Sequence, residues 1–131
     1  MALSNLNICT LYISILDKIN RREIGAEGEE IAEKYLLTHG FTILTRNWGV
    51  KIGEIDIIAR SPEGDLVFVE VKFVKTTLYG DAAWKIGKTK LAQIRRVAEL
   101  FINEHQLENE TIRIDAIAIT GSKIEYYKNC I

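Results

Sequence analysis

The 131-residue sequence predicts an α/β domain with a mixed central sheet flanked by helices. Three observations lead there. Apolar residues recur first at helical spacing, then in runs of strand length, then at helical spacing again before a last apolar run. The two central runs are apolar on both faces, as in strands covered from two sides. No repeat, low-complexity tract or Pro/Gly/Ser linker divides the chain, whose length fits one domain.

From about Arg21 to Thr38 the spacing of Ile24, Ile31, Tyr35 and Leu36 predicts a helix, with Gly40 as its C-terminal cap. Phe41 to Arg46 reads as a short strand. Glu54–Arg60 and Leu66–Lys72 read as a β-hairpin, because the joining Ser61-Pro62-Glu63-Gly64-Asp65 is rich in turn formers. Lys88–Glu104 predicts a second helix whose Leu91, Ile94, Ala98, Phe101 and Ile102 share a face. Ile112–Thr120 is a further strand, and Ile124–Lys128 pairs with it after a Gly121-Ser122 turn. Residues 1–20 are expected as an N-terminal extension ahead of a domain over 21–131. Their apolar run, Leu6 to Leu16, falls short of the ~20 residues a bilayer requires and is closed by Asp17 and Lys18. It reads as a packing or partner-facing segment, with no membrane or export role.

Hydrophobic residues make up 47% and charged residues 27%, the composition of an ordinary globular protein. Such a domain buries roughly two-thirds of its unfolded surface, so a metal here would be functional rather than structural. The net charge of −1 excludes a general polycation and leaves only a local basic patch for nucleic acid. Cys9 and Cys130 match no metal or redox spacing. They read as reduced thiols of a cytoplasmic protein, with a bridge between the ends left open.

The strongest chemical signal lies in the hairpin. If its five-residue loop closes symmetrically, Arg60 faces Leu66, Ile58 faces Phe68, Asp56 faces Glu70 and Glu54 faces Lys72. Opposed side chains on antiparallel strands lie about 5 Å apart, and like charges there repel. Two carboxylates at the end of such apolar strands are costly without a cation. A hard divalent ion offsets that cost, because Mg²⁺ prefers carboxylate oxygens and keeps waters for a substrate. Lys72 supplies an amine beside them, able to orient a water or stabilise developing phosphoryl charge. The bland reading of the same residues is a solvated hairpin end with Glu54–Lys72 as a surface ion pair.

Gly53-Glu54-Ile55-Asp56, a turn, then Phe68-Val69-Glu70-Val71-Lys72 resembles the YraN-like family, related to PD-(D/E)XK nucleases and archaeal Holliday-junction resolvases. The likeness runs from about Gly25 to Ile119. It includes Gly25 and Gly28-Glu29, Arg46-Asn47, Gly80, Lys90, and Arg113 with Asp115. It implies a restriction-endonuclease-like αβββαβ core with a site dependent on Mg²⁺ or Mn²⁺. By similarity Asp56 and Glu70 are metal ligands, Lys72 is the catalytic lysine, and Glu29 is an additional acid from the first helix. Glu54, Arg46 and Asn47 are supporting positions, and Glu54 is explained equally well as Lys72's partner. The implied substrate is DNA, including branched DNA. Resolvase-like relatives often dimerise, which admits a homodimer. The family tends to carry arginines where this chain has Gly49 and Val74, and Lys51 and Lys75 are placed to compensate.

On a helical wheel Lys88, Arg95 and Arg96 cluster beside the apolar stripe and read either as a phosphate-tracking edge or as a solvated face. Lys90 falls on the apolar side and must either snorkel to solvent or find an anion, which the carboxylate site or a bound phosphate would supply. Trp48 and Trp84 read as core edges more readily than as base-stacking platforms. His39 and His105 carry no chemistry. Arg113 and Asp115 share a strand face as an ion pair beside the site. Two other functions remain open: a non-catalytic nucleic-acid-binding module of the same fold, and an interaction protein using its N-terminal segment.

Overall fold

The computed structural model describes residues 26–74 and 86–130, of which Val74 is described by its backbone. The N-terminal extension, Cys9, Gly25, Lys75, Gly80 and Trp84 lie outside the described residues.

Helix α1 covers residues 26–38. It ends as the sequence predicts. Gly40, at φ 85°, turns the chain into the left-handed region, and the Phe41 and Gly40 amides donate back to the Leu36 and Leu37 carbonyls. That double closure satisfies carbonyls a helix end would otherwise leave bare. Strands β1 (Thr42–Val50), β2 (Gly53–Arg60) and β3 (Leu66–Val74) follow, then helix α2 (Lys88–Glu104), β4 (Ile112–Thr120) and β5 (Lys123–Tyr127). They form one five-stranded sheet in the order β1-β2-β3-β4-β5, in which β3 and β4 are parallel and the other neighbours antiparallel. The sheet is mixed and flanked by helices, in the αβββαβ order expected, with β5 added at the edge.

Each helix covers one face. Ala32 and Leu36 of α1 pack with Ile57, Ala59, Val67, Val69, Ile117 and Ile119. On the other face Ile94, Val97, Ala98, Phe101 and Ile102 of α2 pack with Ile55, Ile58, Phe68 and Ile114. β2, β3 and β4 are therefore apolar on both sides, as covered strands must be. Gly28 lets α1 approach closely: a Cβ there would meet the Cβ of Phe73 at 2.6 Å.

β1 is longer than expected, running through Trp48 to a two-residue turn, Lys51-Ile52, that returns it to β2. Its alternation breaks at Asn47, whose φ is 52°. Residues two apart on a regular strand share a face. Here Arg46 reaches α1 while Trp48 stacks edge-on against Phe101 of α2. Opposite Asn47 the same reversal occurs across Asp56: Ile57 joins the α1 core and Ile55 the α2 core. Asparagine tolerates the left-handed region better than most side chains. The face reversal is centred on the residue of greatest chemical interest.

Arg113 and Asp115 do form an ion pair, with Nη2 to Oδ2 at 3.0 Å, and its other partners are residues outside the carboxylate cluster. Arg113 also holds Asp65 of the β2–β3 turn, and Asp115, with no exposure, accepts from Tyr126 and from the Asn129 amide. The pair ties the turn, β4 and the C-terminal strand together. Cys130 is a free thiol.

Candidate metal centre

The β2–β3 register matches the expectation at Arg60–Leu66 and Ile58–Phe68, then stops at Ile57–Val69. The register is the symmetric one expected, but the ladder ends before Asp56–Glu70 and Glu54–Lys72, which are not ladder pairs. The Val71 amide donates instead to Asp56 Oδ2, at 2.8 Å. A side-chain carboxylate thus occupies the place of a backbone acceptor where the strands part. That opening makes room for side chains from both helices.

Three carboxylates meet there. Oxygens of Glu29 from α1 and of Glu54 and Asp56 from β2 all lie within 4.8 Å of one another. At an effective dielectric of about 20, each ionised pair at that separation would repel by at least roughly 3 kcal/mol. Glu70 approaches from β3, its Oε1 3.5 Å from Lys90 Nζ. Its Oε2 is buried and has no hydrogen-bond partner among the described residues. Arg46 holds the outer side, donating to Glu29 at 3.4 Å and Glu33 at 2.8 Å.

Burial, and next the Glu70 carboxylate, push Asp56 from 3.8 up to about 7; Glu29 adds to the rise, and the Val71 amide and Lys90 oppose it. Burial raises Glu70 as well, against the pull of Lys90, of the neighbouring Asp56 carboxyl when it carries a proton to share, and of Lys72. Paired acids held above their ordinary range mark a site short of positive charge.

The residues present fit a hard divalent cation. Every donor is a carboxylate oxygen, the preference of Mg²⁺ and Mn²⁺, and among the described residues no histidine or cysteine that would favour zinc joins the group. Glu70 Oε2, buried and bare, is an acceptor awaiting such a partner.

Of the residues singled out from sequence, Glu29, Glu54, Asp56 and Glu70 converge, with Lys90 and Arg46 against them. Glu54 faces the acids rather than pairing with Lys72; among the described residues no ion pair joins the two. Lys72 is exposed, on β3 two residues beyond Glu70. Lys90 finds the anion it needs in Glu70, although its side chain is 44% exposed. Lys51, Lys88 and Arg95 are exposed and lie outside the acidic group. Trp48 packs on Phe101, and His39 and His105 stack on Tyr35 and Phe101. Glu33 was missed. It stands four residues after Glu29, one turn along the same helix face, which was a readable signal for a shared arginine.

A mixed sheet between two helices, with four acids at the point where its central strands part, defines an α/β domain with an acidic centre in its sheet. The chain belongs to the uncharacterised protein family UPF0102, whose model matches residues 28–119. It is 38% identical over 106 residues to a UPF0102 protein of Neisseria meningitidis serogroup C, covering 81% of this chain and 90% of that one. A relative from Carboxydothermus hydrogenoformans is 37% identical over 111 residues (85% and 93%). One from Saccharophagus degradans is 39% identical over 108 residues (82% and 91%). Among solved structures, a repair endonuclease from Pyrococcus abyssi is similar with a TM-score of 0.46 at 17% identity, over 75% of this chain and 38% of that one. No helix among the described residues is long and apolar enough to cross a membrane.

Proposed function

We propose that this chain is a Mg²⁺- or Mn²⁺-dependent endonuclease that hydrolyses DNA phosphodiester bonds in the cytoplasm, in the manner of a resolvase. The observation that carries the reading is the convergence of Glu29, Glu54 and Asp56 beside the bare, buried oxygen of Glu70. Asp56, Glu70 and Glu29 are the expected ligands, and Glu54 joins them by its position. A bound divalent ion would supply Lewis acidity to the scissile phosphate and lower the pKa of a coordinated water.

The chain's own groups do the rest. Asp56 is fixed by the Val71 amide, so its free oxygen keeps one direction. Lys90 and Arg46 anchor Glu70 and Glu29 from behind. Lys72, at the exposed mouth, orients the attacking water or stabilises charge on the phosphoryl oxygens. Branched DNA and a homodimer belong to this reading as its resolvase-like extension.

Asp56→Ala and Lys72→Ala are expected each to abolish Mn²⁺-dependent cleavage of linear, flapped and four-way DNA. Wild-type protein inert on all three substrates would count against an enzyme. The net charge of −1 favours a second reading, a non-catalytic DNA-binding module acting in repair, recombination or uptake. DNA binding that needs no metal and survives Asp56→Ala, without cleavage, would support that one.

A further inference from the structure

A groove of about 740 Å³ lies between α2 and the β1–β2 turn, lined by Ile52, Lys88, Thr89, Ala92, Gln93 and Arg96. Its wall is firmly set. The Gln93 amide donates to the Ile52 carbonyl, and Gly53 approaches so closely that a Cβ there would meet the Gln93 side chain at 2.8 Å. The tip of the turn carries exposed apolar side chains, Val50 at 40% and Ile52 at 38%.

The cations of this groove differ from the others near the sheet. Arg46, Arg60, Arg113 and Lys90 are each held by a carboxylate. Among the described residues no carboxylate pairs with Lys88 or Arg96. The first turn of α2 carries Lys88 and Lys90 and no acid, against the preference of a helix dipole. Glu99, one turn beyond Arg96, marks the far limit of the basic stretch. Lys88 and Arg96 are eight residues apart on one helix face, a rise of roughly 12 Å, or about three to four base steps of a DNA strand. Ile52 of the groove stands two residues before Glu54 in the chain, so the groove's wall leads directly into the strand that carries Glu54 and Asp56.

We propose that this groove is the track for one strand of a DNA duplex, with Lys88 and Arg96 on its phosphates, Thr89 donating to a phosphate oxygen, and the Val50–Ile52 tip against its sugars. This deepens the proposed function and rests on it for the identity of the polymer. It also moves the basic edge read from the helical wheel. Arg96 is among the residues that line the groove, and Arg95 is not.

The test is equilibrium binding of a fluorescent DNA duplex in EDTA across a salt series, by anisotropy. Each phosphate contact contributes about 0.9 to the slope of log K against log salt. Lys88→Gln and Arg96→Gln are each expected to reduce the slope by about 0.9, and the pair by about 1.8. Lys128→Gln, the same charge change at the β5 end of the sheet, leaves the slope unchanged. Unaltered slopes, an equal reduction in Lys128→Gln, absence of DNA binding by wild type, or tighter binding to RNA of the same sequence would overturn the track. Mn²⁺ calorimetry on the same proteins reports the metal site independently. A groove that binds DNA in a protein that takes no metal leaves the track standing and refutes the nuclease.

Discussion

Asp56 should make the metal-free protein less stable than it could be, and Asp56→Asn isolates the effect. The amide is nearly isosteric, its oxygen can still accept from the Val71 amide, and its NH₂ can donate to the surrounding acids. The sign follows from linkage. In the unfolded chain Asp56 ionises near 3.8, whereas in the folded protein burial and Glu70 hold its proton to about 7. Below pH 4 both states are protonated and nothing is lost. Between pH 4 and 7 only the unfolded state releases its proton, so native stability falls as pH rises, by about 1.4 kcal/mol per unit. Above pH 7 the full loss, ~4 kcal/mol at most, is in place. Asp56→Asn carries no such charge. At pH 8 in EDTA it should be more stable than wild type by about 2–4 kcal/mol, a rise in Tm of roughly 10 °C for a domain of this size. The gap should close to under about 1 kcal/mol at pH 4.5. Saturating Mg²⁺ should narrow it at pH 8, because a ligand at one hundred times its Kd stabilises the native state by about 2.7 kcal/mol. Thermal and urea denaturation at the two pH values read this directly. An asparagine variant no more stable than wild type at pH 8, or a gap that ignores pH, would refute the reasoning.

Gly28→Ala should destabilise by about 1–3 kcal/mol in urea, since its Cβ would overlap Phe73, although the same change on an exposed helix surface stabilises by about 1 kcal/mol. Asp115→Ala should lose about 3–5 kcal/mol, because it strands the Arg113 guanidinium, the Tyr126 hydroxyl and the Asn129 amide in a buried place; a loss below 1 kcal/mol would contradict the network. Asn47→Gly should be tolerated within about 1 kcal/mol, whereas Asn47→Val should lose about 1–3 kcal/mol, because a β-branched side chain resists the left-handed backbone that reverses β1.

Much of this fold was legible because local chemistry and burial agree. Ser61 to Asp65 holds one turn former after another, so the hairpin register near it could be counted by hand. The α2 face was readable at Ile94, Ala98, Phe101 and Ile102; Val97 is buried too, and Leu91 only half-buried. Gly40 announced the end of α1. The β1–β2 return was not legible, because Lys51-Ile52 lacks a turn signature and Asn47 disrupts the alternation that would have extended β1.

The site was half legible for a related reason. Alternation placed Glu54 and Asp56 on one face, and their carboxylates do meet, although the strand's alternation reverses at Asp56. The parting of β2 from β3 was invisible, since it depends on Asp56 capturing the Val71 amide, an interaction between residues fifteen apart. That parting replaces the expected Asp56–Glu70 ladder pair with a four-acid cluster and frees Glu54 from Lys72. Lys90 was expected to snorkel or to find an anion, and it does both: its side chain is exposed to solvent and its ammonium meets Glu70.

The central claim is that Glu29, Glu54, Asp56 and Glu70 share one divalent ion. Calorimetric titration of Mn²⁺ into wild type and Asp56→Ala, with no DNA present, tests it with least intervening inference. Saturable binding at one site in wild type, lost in the variant, is expected. Heats no different from buffer in wild type, or the same isotherm in both proteins, would contradict it.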